Sequence, residues 1–107
     1  MKDLTDLYNA LSLLKTPDEC ERFFTDLCTP AELEAMHERW QVAKALSQSL
    51  SYREISAKLG ISTTTVTRVA RCMTYGTGGY GIVLKRLPSS HQESKRKKAN
   101  STVEETI

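Results

Sequence analysis

The sequence predicts an all-α protein of about six short helices, organised around a helix-turn-helix and completed as a homodimer. Three observations carry that expectation. Apolar residues recur at helical spacing through the first 87 positions, no stretch alternates with the two-residue period of a strand, and Pro, Ser, Thr and Gly stand where helices start and stop. With 107 residues the chain can bury one core and not two.

The helices follow in order. Leu4, Leu7, Tyr8, Leu11 and Leu14 lie at i, i+3, i+4, i+7 and i+10, one face of a first helix that Lys15 closes. Thr16-Pro17-Asp18-Glu19 reads as a capping box with proline at the first helical position, opening a second helix with Cys20, Phe23, Phe24, Leu27 and Cys28 on one side. The same grammar at Thr29-Pro30-Ala31-Glu32 opens a third, to about Ser47, striped by Leu33, Met36, Trp40, Ala43 and Leu46 and widened by Ala35 and Val42. Ser51-Tyr52-Arg53-Glu54 starts a fourth that runs from Tyr52 to Leu59 and stops at Gly60. Ser62 caps a threonine-rich fifth reaching about Thr74. A glycine-rich turn follows, then a weaker sixth over Tyr80 to Leu87. Residues 1–87 form the expected domain, with the helix-turn-helix at about 52–73. Residues 88–107, Ser-, Lys- and Glu-rich with few apolar side chains, form an expected disordered basic tail.

Composition excludes several classes. No apolar run approaches the ~18 residues of a membrane span, and the opening Met1-Lys2-Asp3-Leu4 leads into no signal-peptide pattern. Three cysteines without a CxxC pair suit reduced thiols in a cytoplasmic protein and exclude a disulfide scaffold or zinc finger. Neither His37 nor His91 has a partner at ligand spacing, so no metal is expected. Cys20, Cys28 and Trp40 read as core residues. No nucleophile, acid–base pair or phosphate loop is recognisable, so no catalytic residue is assigned and an enzyme is not expected.

The net charge of +2 conceals an asymmetry. Residues 1–50 sum to −4 and residues 51–107 to +6, which points the second half at a polyanion. Part of that excess is the Lys95-Arg96-Lys97-Lys98 run, which could simply solubilise a tail. The helix-turn-helix decides between the two. Ser56 is the small residue at the crossing, Gly60-Ile61-Ser62 is the turn, and Ile55, Leu59, Ile61, Val66 and Val69 hold the angle. Ser62, Thr63, Thr64, Thr65, Thr67, Arg68 and Arg71 are then left on the outward face. Threonine is a poor helix former, so four in the five positions 63–67 suit a surface where short hydroxyls and methyls must approach a partner closely. Residues 62–72 are therefore expected in the major groove of double-stranded DNA, with Arg53 and Lys58 reaching flanking phosphates. A compact corner without DNA is the plain alternative.

From about Thr29 to Arg71 the chain resembles the tryptophan repressor superfamily, and over its ordered length it is similar to the YerC/YecD type. The resemblance rests on Cys28-Thr29-Pro30-Ala31-Glu32-Leu33-Glu34-Ala35-Met36, Arg39, Ser51-x-Arg53-Glu54-Ile55-x-x-x-Leu59-Gly60 and Thr65-Val66-Thr67-Arg68. It implies an intertwined helical homodimer acting as a sequence-specific regulator, usually a repressor, with one reading helix per subunit. Tryptophan repressors are a standard example of such docking. It also implies that Thr29, Arg39 and Arg68 stand at positions that contact the corepressor amino acid, its indole lying between two arginines. Here Val69 replaces the glycine after the second arginine and Cys72 a serine that helps hold the ligand's amino group, so tryptophan is not the expected effector and no cofactor is assigned.

Dimerisation has an argument of its own. The three helices ahead of the helix-turn-helix have broad apolar faces for so short a chain, with Leu13 and Ala10 off the main stripe of the first. Two-fold symmetry would set two reading helices about 34–36 Å apart on a near-palindromic site. Two other functions stay open at this level: a module that docks a protein of the transcription machinery, and a non-specific architectural DNA binder.

Overall fold

The computed structural model describes residues 2–88, so all of the expected tail except Pro88 lies outside the described residues. Within them the fold is all-α, with six helices and no strand: α1 Thr5–Leu11, α2 Pro17–Leu27, α3 Pro30–Ser47, α4 Tyr52–Leu59, α5 Thr63–Tyr75 and α6 Gly79–Lys85. No helix among them is long and apolar enough to cross a membrane. The described chain divides into two compact units, one running to His37 and the other starting at Glu38.

The first unit contains α1, α2 and the start of α3. Asp3 accepts the hydroxyl and the N–H of Thr5 at the head of α1, and those bonds hold its carboxyl below the usual range. The helix is shorter than its apolar spacing predicts. It stops at Leu11, because the Ser12 hydroxyl turns back to the Asn9 carbonyl and the N–H groups of Leu13 and Leu14 bond three residues back, tightening the last turn. Leu14 and Lys15 therefore lie beyond it. Thr16 caps α2 through the Glu19 N–H, but the Glu19 carboxylate reaches past the cap to the Lys15 N–H. At α3 the box is reciprocal: Thr29 Oγ accepts from the Glu32 N–H, and Glu32 accepts from the Thr29 N–H at 2.8 Å. No residue of this unit is buried. Cys20, Phe23, Phe24 and Cys28 are half-buried, whereas Tyr8 and Leu13 are exposed.

The second unit has a core: Val42, Ala43, Ala45, Ile55, Ile61, Val66 and Val69 are buried, with Trp40, Leu46, Leu50, Met73 and Tyr80 packed against them. The contribution of α3 is wider than its expected stripe. Val42, a flanking position, is fully buried, and Ala45, which lies off the stripe altogether, is buried as well. Small residues at 43 and 45 let the helix be enclosed on more of its circumference. The helix ends in a Schellman motif, with the Leu50 N–H on the Ala45 carbonyl, the Ser49 N–H on the Leu46 carbonyl and Ser49 itself left-handed at φ 69°.

Ser51 then opens α4 with a complete capping box. Its hydroxyl accepts the Glu54 N–H, and the Glu54 carboxylate accepts the Ser51 N–H. At the far end Gly60 takes φ +67°, the left-handed cap that a side chain strains. The expected packing set needs one correction. Ile55, Ile61, Val66 and Val69 are buried, but Leu59 is exposed, since the left-handed turn at Gly60 carries the chain away from the last residue of α4. After α5, Gly76 admits no side chain because a Cβ there would collide with the Cys72 carbonyl. The sixth helix starts and ends earlier than expected, at Gly79 and Lys85.

Candidate nucleic-acid interface

The turn between α4 and α5 is held by one residue. Ser56 accepts the N–H groups of Gly60 and Ile61 at its carbonyl, while its hydroxyl donates to the Ile61 carbonyl at 2.6 Å. Both backbone polar groups of the buried Ile61 are thereby satisfied by a single serine, which avoids the penalty of an unpaired buried group. The crossing position was legible as a small residue; its hydroxyl bond was not. Only the presence of Ser where Ala would serve equally as a spacer hinted at it.

Ser62 follows as the N-cap of α5. Its hydroxyl accepts the Thr65 N–H and donates to Thr65 Oγ1. Two of the expected face residues are thus occupied: the Ser62 hydroxyl serves the cap, and Thr65 is half-buried beside it. Thr63, Thr64, Thr67, Arg68 and Arg71 remain. They are all exposed, and together they line one shallow open depression on α5. Their spacing explains why. Positions 63, 67 and 71 form one row of the helix and 64 and 68 the next, since residues four apart share a face. The opposite face carries Val66 and Val69, at 0% and 1% exposure. Neither arginine has an ion-pair partner among the described residues, whose one salt bridge is Arg22–Asp18.

Arg53 and Lys58 are exposed on α4. The Glu54 carboxyl between them is held below the usual carboxylate range, first by the Ser51 N–H and hydroxyl and then by the Lys58 charge. Of the expected effector contacts, Arg39 on α3 and Arg68 on α5 are exposed side chains of the second unit. Thr29 belongs to the first unit, and its hydroxyl and N–H are both taken up by Glu32. Val69 is committed to the core, and Cys72 is exposed with a free thiol.

Comparison with known proteins fits this arrangement. The family model described as Trp repressor protein matches residues 2–88. The chain belongs to the Trp repressor family. This is a family of helical DNA-binding regulators rather than of enzymes. An uncharacterised protein, YerC of Bacillus subtilis strain 168, is 40% identical over 96 residues, covering 90% of this chain and 92% of that protein. Two solved members share the fold at a TM-score of 0.74 each. A Trp-repressor-type protein of Staphylococcus aureus is 38% identical, with 78% of this chain and 84% of that one covered. A TrpR-like protein of Eubacterium eligens ATCC 27750 is 40% identical, with 78% and 87% covered. The helical scaffold that carries the buried valines and exposed threonines of α5 is thus one that this Trp repressor family member shares with both structures.

Proposed function

We propose that the protein is a sequence-specific transcriptional regulator, a cytoplasmic repressor that binds double-stranded DNA as a homodimer through the helix-turn-helix of α4 and α5. One observation carries this reading: Thr63, Thr64, Thr67, Arg68 and Arg71 line a single open depression on α5, while the opposite side of the same helix is locked into the core. The short hydroxyls and methyls allow close approach to base edges, and the arginines supply charge without a competing carboxylate. Arg53 and Lys58 are the phosphate-contacting residues of α4. Ser62 and Thr65 hold the start of the reading helix, and their hydroxyls bond each other.

The dimer is supported by the first unit, which has apolar side chains and no buried residue. Tryptophan is not the effector in this reading, because Val69 fills the core where the family resemblance calls for a glycine. Arg39 and Arg68 are then free for other contacts.

Salt-dependent retention on random duplex, followed by selection from a random-site pool, tests the proposal. It expects a recovered near-palindrome whose affinity is the same with and without tryptophan. Retention with no consensus would replace it with an architectural role. Absence of retention would leave a protein-docking module.

A further inference from the structure

We infer that the α5 face reads thymine and guanine edges: the methyls of Thr63, Thr64 and Thr67 pack on thymine C5-methyl groups, and Arg68 forks onto O6 and N7 of a guanine. This rests on the reading of α5 as the helix that enters the major groove, and it names the base chemistry recognised there.

The argument comes from what the face offers and what it lacks. The whole of α5, Thr63–Tyr75, contains no Asn, Gln, Asp or Glu. In the major groove, adenine is read chiefly by the paired donor and acceptor of Asn or Gln, and cytosine by a carboxylate that accepts from its amino group. Neither tool is present. Arginine matches guanine, whose two acceptors suit a guanidinium fork, and the threonine methyl matches the methyl of thymine. Hydroxyls alone would bond either partner of several pairs, so discrimination falls to the methyls and to the arginine.

Position separates Arg68 from Arg71. Reading helices present their N-terminal residues to base edges. At about 1.5 Å of rise per residue, Thr63 to Thr67 span roughly 6 Å, close to two base-pair steps. Arg68 shares a row with Thr64, and helical side chains lean toward the N-terminus, so its long stem runs back toward Thr64 and the bases. Arg71 starts one turn further from that end and reaches the phosphate backbone. Both threonine rows are exposed, and Thr63, Thr64 and Thr67 make no side-chain hydrogen bond among the described residues that would hold their methyls elsewhere.

Every A·T pair contains a thymine, so a consensus sequence alone cannot decide; base analogues can. The full chain is used to select a duplex, and that duplex is rebuilt with single-atom changes. Deoxyuridine at a contacted thymine should weaken binding about four-fold, the value of one buried methyl. Thr64→Ser or Thr67→Ser, which keeps the hydroxyl and drops the methyl, should erase the penalty at its own thymine. 7-Deazaguanine at the contacted guanine should weaken wild type roughly ten-fold or more and leave Arg68→Ala unaffected, whereas 7-deazaadenine should change nothing. Circular dichroism and the two alternative serine variants keep a folding defect from being read as a lost contact. A selected duplex indifferent to uracil and 7-deazaguanine, or sensitive to 7-deazaadenine, overturns this inference while leaving DNA reading intact. Failure to select any duplex overturns the DNA-reading assignment itself.

Discussion

The two units of this chain solve the problem of apolar surface differently. The second, from Glu38, closes around Val42, Ile55, Val66 and Val69, each at or near zero exposure. The first, up to His37, has Phe23, Phe24, Leu7 and Leu11 half-buried and nothing fully so. The contrast teaches a division of labour. A small set of β-branched residues fixes one face of α5 in the core, whereas the leucine- and phenylalanine-rich first unit buries none of its described residues and offers the apolar surface that the proposed dimer would cover.

Core truncation should give the largest effect and sharpen that contrast. Ile55→Ala removes a fully buried side chain and should lower unfolding free energy by about 2–5 kcal/mol in denaturant titration. The matched change Phe24→Ala should instead shift the sedimentation profile toward monomer. If Phe24→Ala destabilises as much as Ile55→Ala and leaves association unchanged, the division between the units is wrong.

Ser56→Ala tests the turn between α4 and α5. Losing the hydroxyl that serves the buried Ile61 carbonyl should cost about 1–3 kcal/mol, since the acceptor is left unpaired. DNA binding should weaken further than stability alone explains, because the entry angle of α5 depends on that turn. Equal stability in the alanine variant would show that the serine is only a spacer.

Arg53→Ala should weaken selected and random duplexes alike and lower the slope of log affinity against log salt by about 0.9. A loss confined to the selected site would move Arg53 from the phosphate-contacting set to the base-reading set.

The smallest effect concerns acid. Glu54 has a folded pKa below its unfolded value, so its contribution is present at neutral pH and is lost as pH falls through the lowered folded value. Glu54→Gln should therefore be less stable than wild type at about pH 7, with the gap closing toward about pH 3. Thermal midpoints of both proteins across that range check the sign, and a gap that widens in acid would contradict it.

Much of the fold was legible because its punctuation is explicit. Thr16, Thr29, Ser51 and Ser62 each accept the N–H three residues on, and Gly60 takes the left-handed cap that its place after Leu59 suggested. Spacing of apolar residues was less reliable at ends. Leu14 is in phase with the first helix, yet Ser12 has already diverted the chain, a local hydrogen bond prevailing over periodicity. Leu59 fits the packing pattern and is exposed, because the turn geometry rather than hydropathy decides where that side chain points. Among the candidate site residues, the sequence separated the exposed Thr63, Thr64, Thr67, Arg68 and Arg71 from the buried valines between them. The Thr29–Glu32 pairing is the capping box read there, but the bond between the Ser62 and Thr65 hydroxyls was not legible, because pairings between short polar side chains depend on backbone geometry.

The base-facing role of α5 is tested most directly by measuring Arg68→Ala on a selected duplex and on a random one at the same salt. The account predicts a loss of about 1–3 kcal/mol on the selected duplex and a much smaller change on the random one. Equal affinity for the selected duplex, or an equal loss on both, would contradict it.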